Sequence, residues 1–219
     1  MTTQKKITAA FMVFTAFCGG MEITRMRWSL SPSFIFLIWN LILAWVPYVL
    51  SLMFMEFDLK KSKVMPLGIL ALWVLFLPNG PYIITDLLHL RQRVMIPMWY
   101  DVMLVSTFAW VGLLLTLVSV RNVHSKLQAH FSSPTLWFGL VVLFMSSGYG
   151  IYVGRFLRWN SWDIFFRPIY LMRRSLTELI HPFQHPMPIQ VTATICVMLC
   201  LSYSVFYLIS HKANYHETI

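Results

Sequence analysis

Acidic residues and arginines occur close together in the sequence at the ends of several apolar stretches. Asp86, Asp101 and Asp163 each stand beside a different apolar stretch, and Arg155 and Arg158 lie shortly before Asp163. A planar guanidinium group can hold a carboxylate or a phosphate through two parallel hydrogen bonds. If these stretches end at one membrane face, the residues can form a polar site for an anionic ligand, with the aspartates orienting the arginines.

The segment before Asp86 has two prolines, which flank Asn79 and Gly80. Proline inside a helix removes a backbone hydrogen bond and kinks the helix. Proline is accepted at the first helical position, and Asn or Gly can cap the helix from the residues before it. We therefore expect a new short helix that begins at Pro81 and is capped from Asn79 or Gly80.

In that short helix, four polar residues have the spacing i, i+4, i+7 and i+11, namely Tyr82, Asp86, His89 and Arg93. This spacing places their side chains on one face of an α-helix. Two interpretations remain open. The polar face can contribute to a binding site, or the segment can be an amphipathic helix that lies in the membrane interface.

The next apolar stretch opens with Trp99, Tyr100 and Asp101. Trp and Tyr are common at the membrane–water interface, whereas an acid at the mouth of a span usually has a partner. We predict no metal ligands and no cofactor, because the cysteines have no zinc-binding spacing. The candidate ligand-binding residues are Asn79, Tyr82, Asp86, His89, Tyr100, Asp101, Arg155, Arg158, Asn160 and Asp163.

The first two apolar stretches also carry polar residues towards the same predicted face. Glu22 and Arg25, at i and i+3, close the first stretch. Asn40 is a polar residue at membrane depth in the second stretch. Such a residue typically hydrogen-bonds to a neighbouring helix, so we expect Asn40 to have a structural role.

The elements that must position these residues are long apolar segments. The chain has 219 residues, of which 58% are hydrophobic and 11% are charged, whereas soluble domains average about 25% charged residues. Crossing about 30 Å of hydrocarbon requires about 20 apolar residues in a helix, and open strands cannot face lipid. We predict an all-α, polytopic transmembrane helical bundle that forms one domain over residues 1–219. The predicted spans are approximately residues 7–23, 33–55, 64–84, 98–120, 134–154 and 187–210, with an interfacial segment over about 161–181.

Orientation is predicted from the positive charges. Six spans put both termini on one side, where all the lysines fall, whereas nearly all the arginines fall on the other side. Positively charged residues are enriched in the cytoplasmic loops of membrane proteins. We give the lysines more weight than the arginines, because the arginines can belong to a binding site, and therefore expect both termini to be cytoplasmic. We also expect the first span to be retained, since no small-residue cleavage motif follows it.

The net charge of +9 is spread over the segments that flank the spans, so anionic lipids are the expected partner and nucleic acid is not. The sequence does not identify a protein partner.

Several segments resemble the signature segments of a bacterial membrane family known as domain of unknown function 1361. They are Leu77–Asp86 (L-P-N-G-P-Y-I-I-T-D), Trp99–Asp101 (W-Y-D), Arg155–Asp163 (R-F-L-R-W-N-S-W-D) and Asn40–Pro47 (N-L-I-L-A-W-V-P). The resemblance extends from about residue 33 to residue 210. It implies a multi-pass protein of the bacterial inner membrane, and it implies no activity.

Three functions remain open at this point. The first is binding or transport of an anionic ligand or a lipid head group. The second is a structural or accessory role in which Asp–Arg pairs fasten helix ends. The third is a membrane enzyme in which aspartates hold Mg²⁺ against a phosphorylated lipid, although the sequence has no H-E-x-x-H, G-x-S-x-G or Walker motif.

Overall fold

The computed structural model describes residues 3–59, 64–92, 95–158 and 186–216, with residues 211–216 described by their backbone alone. Within these ranges every regular element is helical, which confirms the predicted all-α fold. The helices are α1 (Thr3–Ser29), α2 (Phe36–Glu56), α3 (Val64–Phe76), α4 (Asn79–Tyr82), a 3-10 helix (Ile83–His89), α5 (Met98–Leu127), α6 (Ser133–Phe156) and α7 (Met187–His216). Outside the described residues lie the predicted interfacial segment 161–181, Arg93, Asn160 and Asp163.

The described residues contain six helical segments that are long and apolar enough to cross a membrane. The third of them, Val64–His89, combines α3, α4 and the 3-10 helix. Only 17% of the most apolar window of α1 and 22% of that of α7 are buried within the protein. Such extensive apolar surface is unfavourable in water and is satisfied by lipid, so the architecture is that of a multi-pass membrane protein.

Several helices continue beyond the ends of the predicted spans. Helix α5 has 30 residues and ends at Leu127, which corresponds to a length of about 45 Å. Hydropathy marks only the part of a helix that suits the hydrocarbon, about 30 Å thick. The last turns of α5 therefore carry polar residues that lie beyond the predicted span 98–120, including Arg121 and His124.

The chain forms two compact units. Unit 1 comprises Met1–Met53 and Gly68–Ser119, and unit 2 comprises Phe54–Leu67 and Val120–Ile219. The core of unit 1 is built from apolar side chains of α1, α2 and α5 with Ile83 of the 3-10 helix. The polar candidates in α1, α2 and the 3-10 helix are thereby held around one packed core.

Two glycines let the backbones of α4 and α5 touch inside unit 1. A Cβ atom on Gly80 would clash with Oγ1 of Thr116, and one on Gly112 would lie 2.6 Å from the carbonyl oxygen of Gly80. Close approach through small residues is a common way to pack helices in membranes. This contact fixes the start of the short helical segment that carries Asp86.

Unit 2 has a comparable contact between α6 and α7. A Cβ atom on Gly148 would lie 2.7 Å from the carbonyl oxygen of Thr192. The amino group of Lys126 donates to the carbonyl oxygens of Phe54, Met55 and Phe57 at the end of α2. The last carbonyls of an α-helix lack intrahelical donors, so Lys126 stabilises the C-terminal end of α2.

Candidate functional site

A buried ion pair joins α1 to α5 in unit 1. Nε of Arg25 donates to Oδ1 of Asp101 at 2.7 Å, and Nη2 donates to Oδ2 at 3.2 Å. The two side chains are 0% and 2% exposed, respectively. The guanidinium carbon also lies 4.3 Å from the centre of the Phe34 ring. Asp101 therefore has the partner that its position predicted, and that partner is an arginine from the first span.

The spacing of the buried residues in α1 explains why Arg25 points inward. Phe11, Cys18, Glu22 and Arg25 are the buried residues of this helix. Their spacings of seven, four and three residues place them on one helical face. An inward-facing arginine in a membrane helix requires a counter-charge, and Asp101 in the first turn of α5 provides it.

Glu22 lies one turn before Arg25 and is fully buried. Among the described residues, neither carboxyl oxygen of Glu22 has a hydrogen-bond partner of normal geometry, and neither does Nη1 of Arg25. The charged groups that interact with Glu22 are Arg25 and Asp101, and the backbone N–H of Phe34 approaches its carboxyl group without the geometry of a normal hydrogen bond. A closed ion pair therefore lies next to a buried acid that lacks a full hydrogen bond and next to an unpaired donor, Nη1 of Arg25.

Asp86 is fully buried and bonds to the second helix of unit 1. Nδ2 of Asn40 donates to Oδ2 of Asp86 at 2.8 Å. The predicted hydrogen bond of Asn40 to a neighbouring helical element is confirmed. This bond ties α2 to the 3-10 helix.

The residues around Asp86 form a different helix from the one predicted. Ile83–His89 is a 3-10 helix with about three residues per turn, so Asp86 and His89 align without Tyr82. The hydroxyl of Thr85 donates to the carbonyl oxygen of Tyr82 at 2.7 Å, which is the acceptor that an α-helix would use for residue 86. The predicted α-helical face of Tyr82, Asp86 and His89 is therefore wrong.

The predicted cap of this segment is also wrong. The new helix begins at Asn79 rather than at Pro81, and no side chain caps it. Nδ2 of Asn79 instead donates backwards to the carbonyl oxygen of Phe76 at 2.8 Å. That carbonyl lies at the end of α3, where intrahelical donors are missing. Asn79 therefore stabilises the C-terminus of α3 rather than the start of α4.

His89 and Tyr100 contact other parts of unit 1. The exposed His89 ring lies 5.3 Å from the Phe36 ring, measured between centres. The hydroxyl of Tyr100 donates to the carbonyl oxygen of Met21 at 2.9 Å. Tyr100 therefore supports the α1–α5 contact just beside the ion pair.

Arg155 and Arg158 belong to unit 2. Arg155 is half-buried in the last turn of α6, and Arg158 is exposed just beyond it. Arg158 has φ of 57°, the left-handed conformation that often ends a helix. Their predicted grouping with Asp86 and Asp101 stays a prediction, as does the role of Asn160 and Asp163.

A model of one protein family matches residues 39–206. The chain belongs to the family described as Protein of unknown function (DUF1361). The matched part of this DUF1361 protein contains Asn40, Asp86 and Asp101, whereas Glu22 and Arg25 precede it. Comparisons with curated proteins and with solved structures find no significant match.

Sequence reasoning left Glu22 and Arg25 of the DUF1361 protein out of the candidate site. Their i, i+3 spacing near the end of an apolar stretch was the available signal. It was incomplete, because the sequence does not tell which charged residues at a span end face the neighbouring helices. In the described ranges, no group of three or more His, Cys, Asp or Glu residues is arranged to hold a metal ion.

Proposed function

We propose that the chain is a multi-pass membrane protein that binds or transports a ligand with an anionic group, with Arg25 and Glu22 as its binding groups. The anionic group is a carboxylate or a phosphate, carried by a small solute or by a lipid head group. The observation that supports this proposal is the unpaired Nη1 of Arg25 beside the carboxyl of Glu22, which has no hydrogen bond of normal geometry, both buried. A buried polar group without a partner costs about 1–3 kcal/mol, which a bridging ligand would recover.

The charges around the site require that the anion binds together with a proton. Glu22 and Asp101 carry two negative charges against one positive charge on Arg25 when all three are ionised. A further anion in this buried site would raise the excess negative charge, and each uncompensated buried ion costs several kcal/mol. A proton on Glu22 removes one negative charge and turns its oxygen into a donor. The anion then accepts hydrogen bonds from Arg25 and from protonated Glu22.

A structural role is the second candidate, and the closed geometry of the Arg25–Asp101 pair favours it. The Asn40–Asp86 hydrogen bond fastens helices in the same way. In this alternative, internal water satisfies Glu22 and Nη1 of Arg25, as water does for many buried polar groups. The two candidates differ in whether an anion stabilises the protein.

The test is thermal unfolding of the detergent-purified protein with sulfate or with chloride at equal ionic strength. Sulfate keeps its charge between about pH 5.5 and about pH 8, whereas carboxyl groups can titrate in this interval. We expect sulfate to stabilise the wild-type protein more at the lower pH. Glu22→Gln should make the stabilisation equal at both pH values, because the amide is a permanent donor.

Arg25→Lys should weaken the binding of sulfate by about tenfold or more, since lysine lacks the guanidinium fork. Arg27→Lys is the matched control, because Arg27 is exposed on the same helix and should leave binding unchanged. Equal effects of sulfate on the wild type, Glu22→Gln and Arg25→Lys would reject anion binding at this site and leave the structural role.

A further inference from the structure

An aromatic cluster surrounds His124 in unit 2. The His124 ring stacks on Tyr207 with 5.4 Å between ring centres and 26° between planes, and it meets the edge of Trp137 at 5.8 Å. Nδ1 of His124 lies 2.6 Å from the hydroxyl oxygen of Tyr203. The cluster joins the C-terminal turns of α5 to α6 and α7, and His124 is only 3% exposed.

Arg121 also lies near the Tyr203 hydroxyl, and a guanidinium can only donate hydrogen bonds. The Tyr203 oxygen can accept from Arg121 while its own hydrogen is donated to Nδ1 of His124. In that arrangement Nδ1 accepts, and the neutral imidazole carries its hydrogen on Nε2, which becomes a hydrogen-bond donor.

Two side-chain nitrogens of this cluster have no partner in the described part of the chain. They are Nε2 of His124 and Nη1 of Arg121, and both atoms are buried. Arg121 and His124 are one turn apart on α5, and both lie against the ring of Tyr207. No described carboxylate is within ion-pair distance of Arg121, so the positive charge of Arg121 has no counter-charge there.

We propose that Arg121 and His124 form a second, separate binding site for an anionic oxygen, of the phosphate or carboxylate class. One anion can accept hydrogen bonds from both Nε2 of His124 and Nη1 of Arg121 and neutralise the guanidinium. The aromatic walls formed by Trp137, Tyr203 and Tyr207 keep water away, and hydrogen bonds to charged groups are stronger in such surroundings. The charge of Arg121 excludes cations. This site does not depend on the function proposed for unit 1.

A site-specific signal keeps the test independent of unit 1. The protein is labelled with ¹⁵N-histidine in detergent micelles, and the Nε2–H signal of His124 is assigned by its loss in His124→Asn. Sulfate and a short-chain phosphatidylglycerol are titrated separately, with a short-chain phosphatidylcholine as the control for lipid binding. We expect a saturable shift of the signal with an anionic probe and none with phosphatidylcholine.

The two probes separate the possible sources of the anion. A shift with sulfate and phosphatidylglycerol alike assigns the site to small anions in general, and a shift with phosphatidylglycerol alone assigns it to a lipid head group. The absence of a shift with both probes would overturn the proposal. An equal shift with phosphatidylcholine would also overturn it, because the anionic charge would then have no role.

Three variants, each made in the Arg25→Lys background so that the site proposed in unit 1 contributes little, test the assigned roles by thermal stabilisation with the probe that shifts the signal. Arg121→Lys should raise the dissociation constant by about tenfold or more. His124→Asn keeps an acceptor for Tyr203 but loses the Nε2 donor, so it should bind more weakly than His124→Gln, which keeps a donor near the Nε2 position. The exposed Arg27→Lys is the control. If Arg121→Lys fails to fold, the comparison between His124→Asn and His124→Gln still decides, since equal binding by these two would reject the role of Nε2.

Discussion

Arg25 uses two of its three guanidinium nitrogens to hold Asp101, and the third is buried beside Glu22. An arginine held in this way has a fixed position and retains donor capacity. Arg121 is in a similar state in unit 2, where its guanidinium lies 4.9 Å from the centre of the Tyr207 ring. Both arginines therefore combine a structural contact with an unused hydrogen-bond donor, and this combination is what makes each of them a candidate for anion binding.

At the residue scale, we predict that Asp101→Ala lowers the free energy of unfolding by about 3–5 kcal/mol, because it leaves Arg25 as an uncompensated buried charge. The double variant Arg25→Met/Asp101→Leu should cost less than the sum of the single changes, since it removes both charges together. Thermal or denaturant unfolding in detergent measures the cycle. The control is Glu56→Gln, because Glu56 is exposed at the end of α2. Additive effects of Arg25→Met and Asp101→Leu would contradict the coupling.

At the element scale, the contact between α4 and α5 decides where the 3-10 helix starts. Prolines interrupt the third apolar stretch, and the glycines then allow the chain to continue against α5. The short helix is thus positioned by its tertiary contact rather than by a cap of its own. Asp86 reaches Asn40 from this position.

We predict that Gly112→Ala destabilises the protein by about 1–3 kcal/mol, because the added methyl group would meet the carbonyl oxygen of Gly80 at 2.6 Å and overpack the contact. Gly139→Ala is the matched control, since nothing lies within 4 Å of the Cβ position at Gly139 in α6. That change should be neutral or stabilising by up to about 1 kcal/mol through helix propensity. Unfolding of both variants in the same detergent provides the measurement. Equal stabilities would show that the glycine contact is not tight.

At the scale of the whole molecule, much of the apolar surface of the helices faces outward. Trp39, Trp110 and Phe138 are 54%, 56% and 70% exposed, respectively. A soluble monomer rarely exposes apolar patches of this extent. Lipid contact therefore accounts for this exposed apolar surface.

The six spans predict that both termini lie on the same side of the membrane, and the distribution of lysines predicts that this side is the cytoplasm. Reporter proteins active only in the cytoplasm, fused separately to each terminus, should both be active. Fusion of a reporter after Arg91, in the connection that precedes α5, should be inactive. Activity at one terminus alone would reject the even number of spans, and activity only after Arg91 would reverse the orientation.

The sequence by itself determined the all-α class and the number of apolar spans, because helix length and hydropathy are local properties of a segment. It also determined that Asn40 and Asp101 would need partners, since unpaired polar groups are unfavourable at membrane depth. Only the tertiary structure decided that the partner of Asp101 is Arg25, 76 residues away in the chain. The same holds for the buried state of Glu22 and for the packing of Tyr203 and Tyr207 around His124. These pairings depend on which helices are neighbours and how each is rotated about its axis, and local sequence does not contain that information.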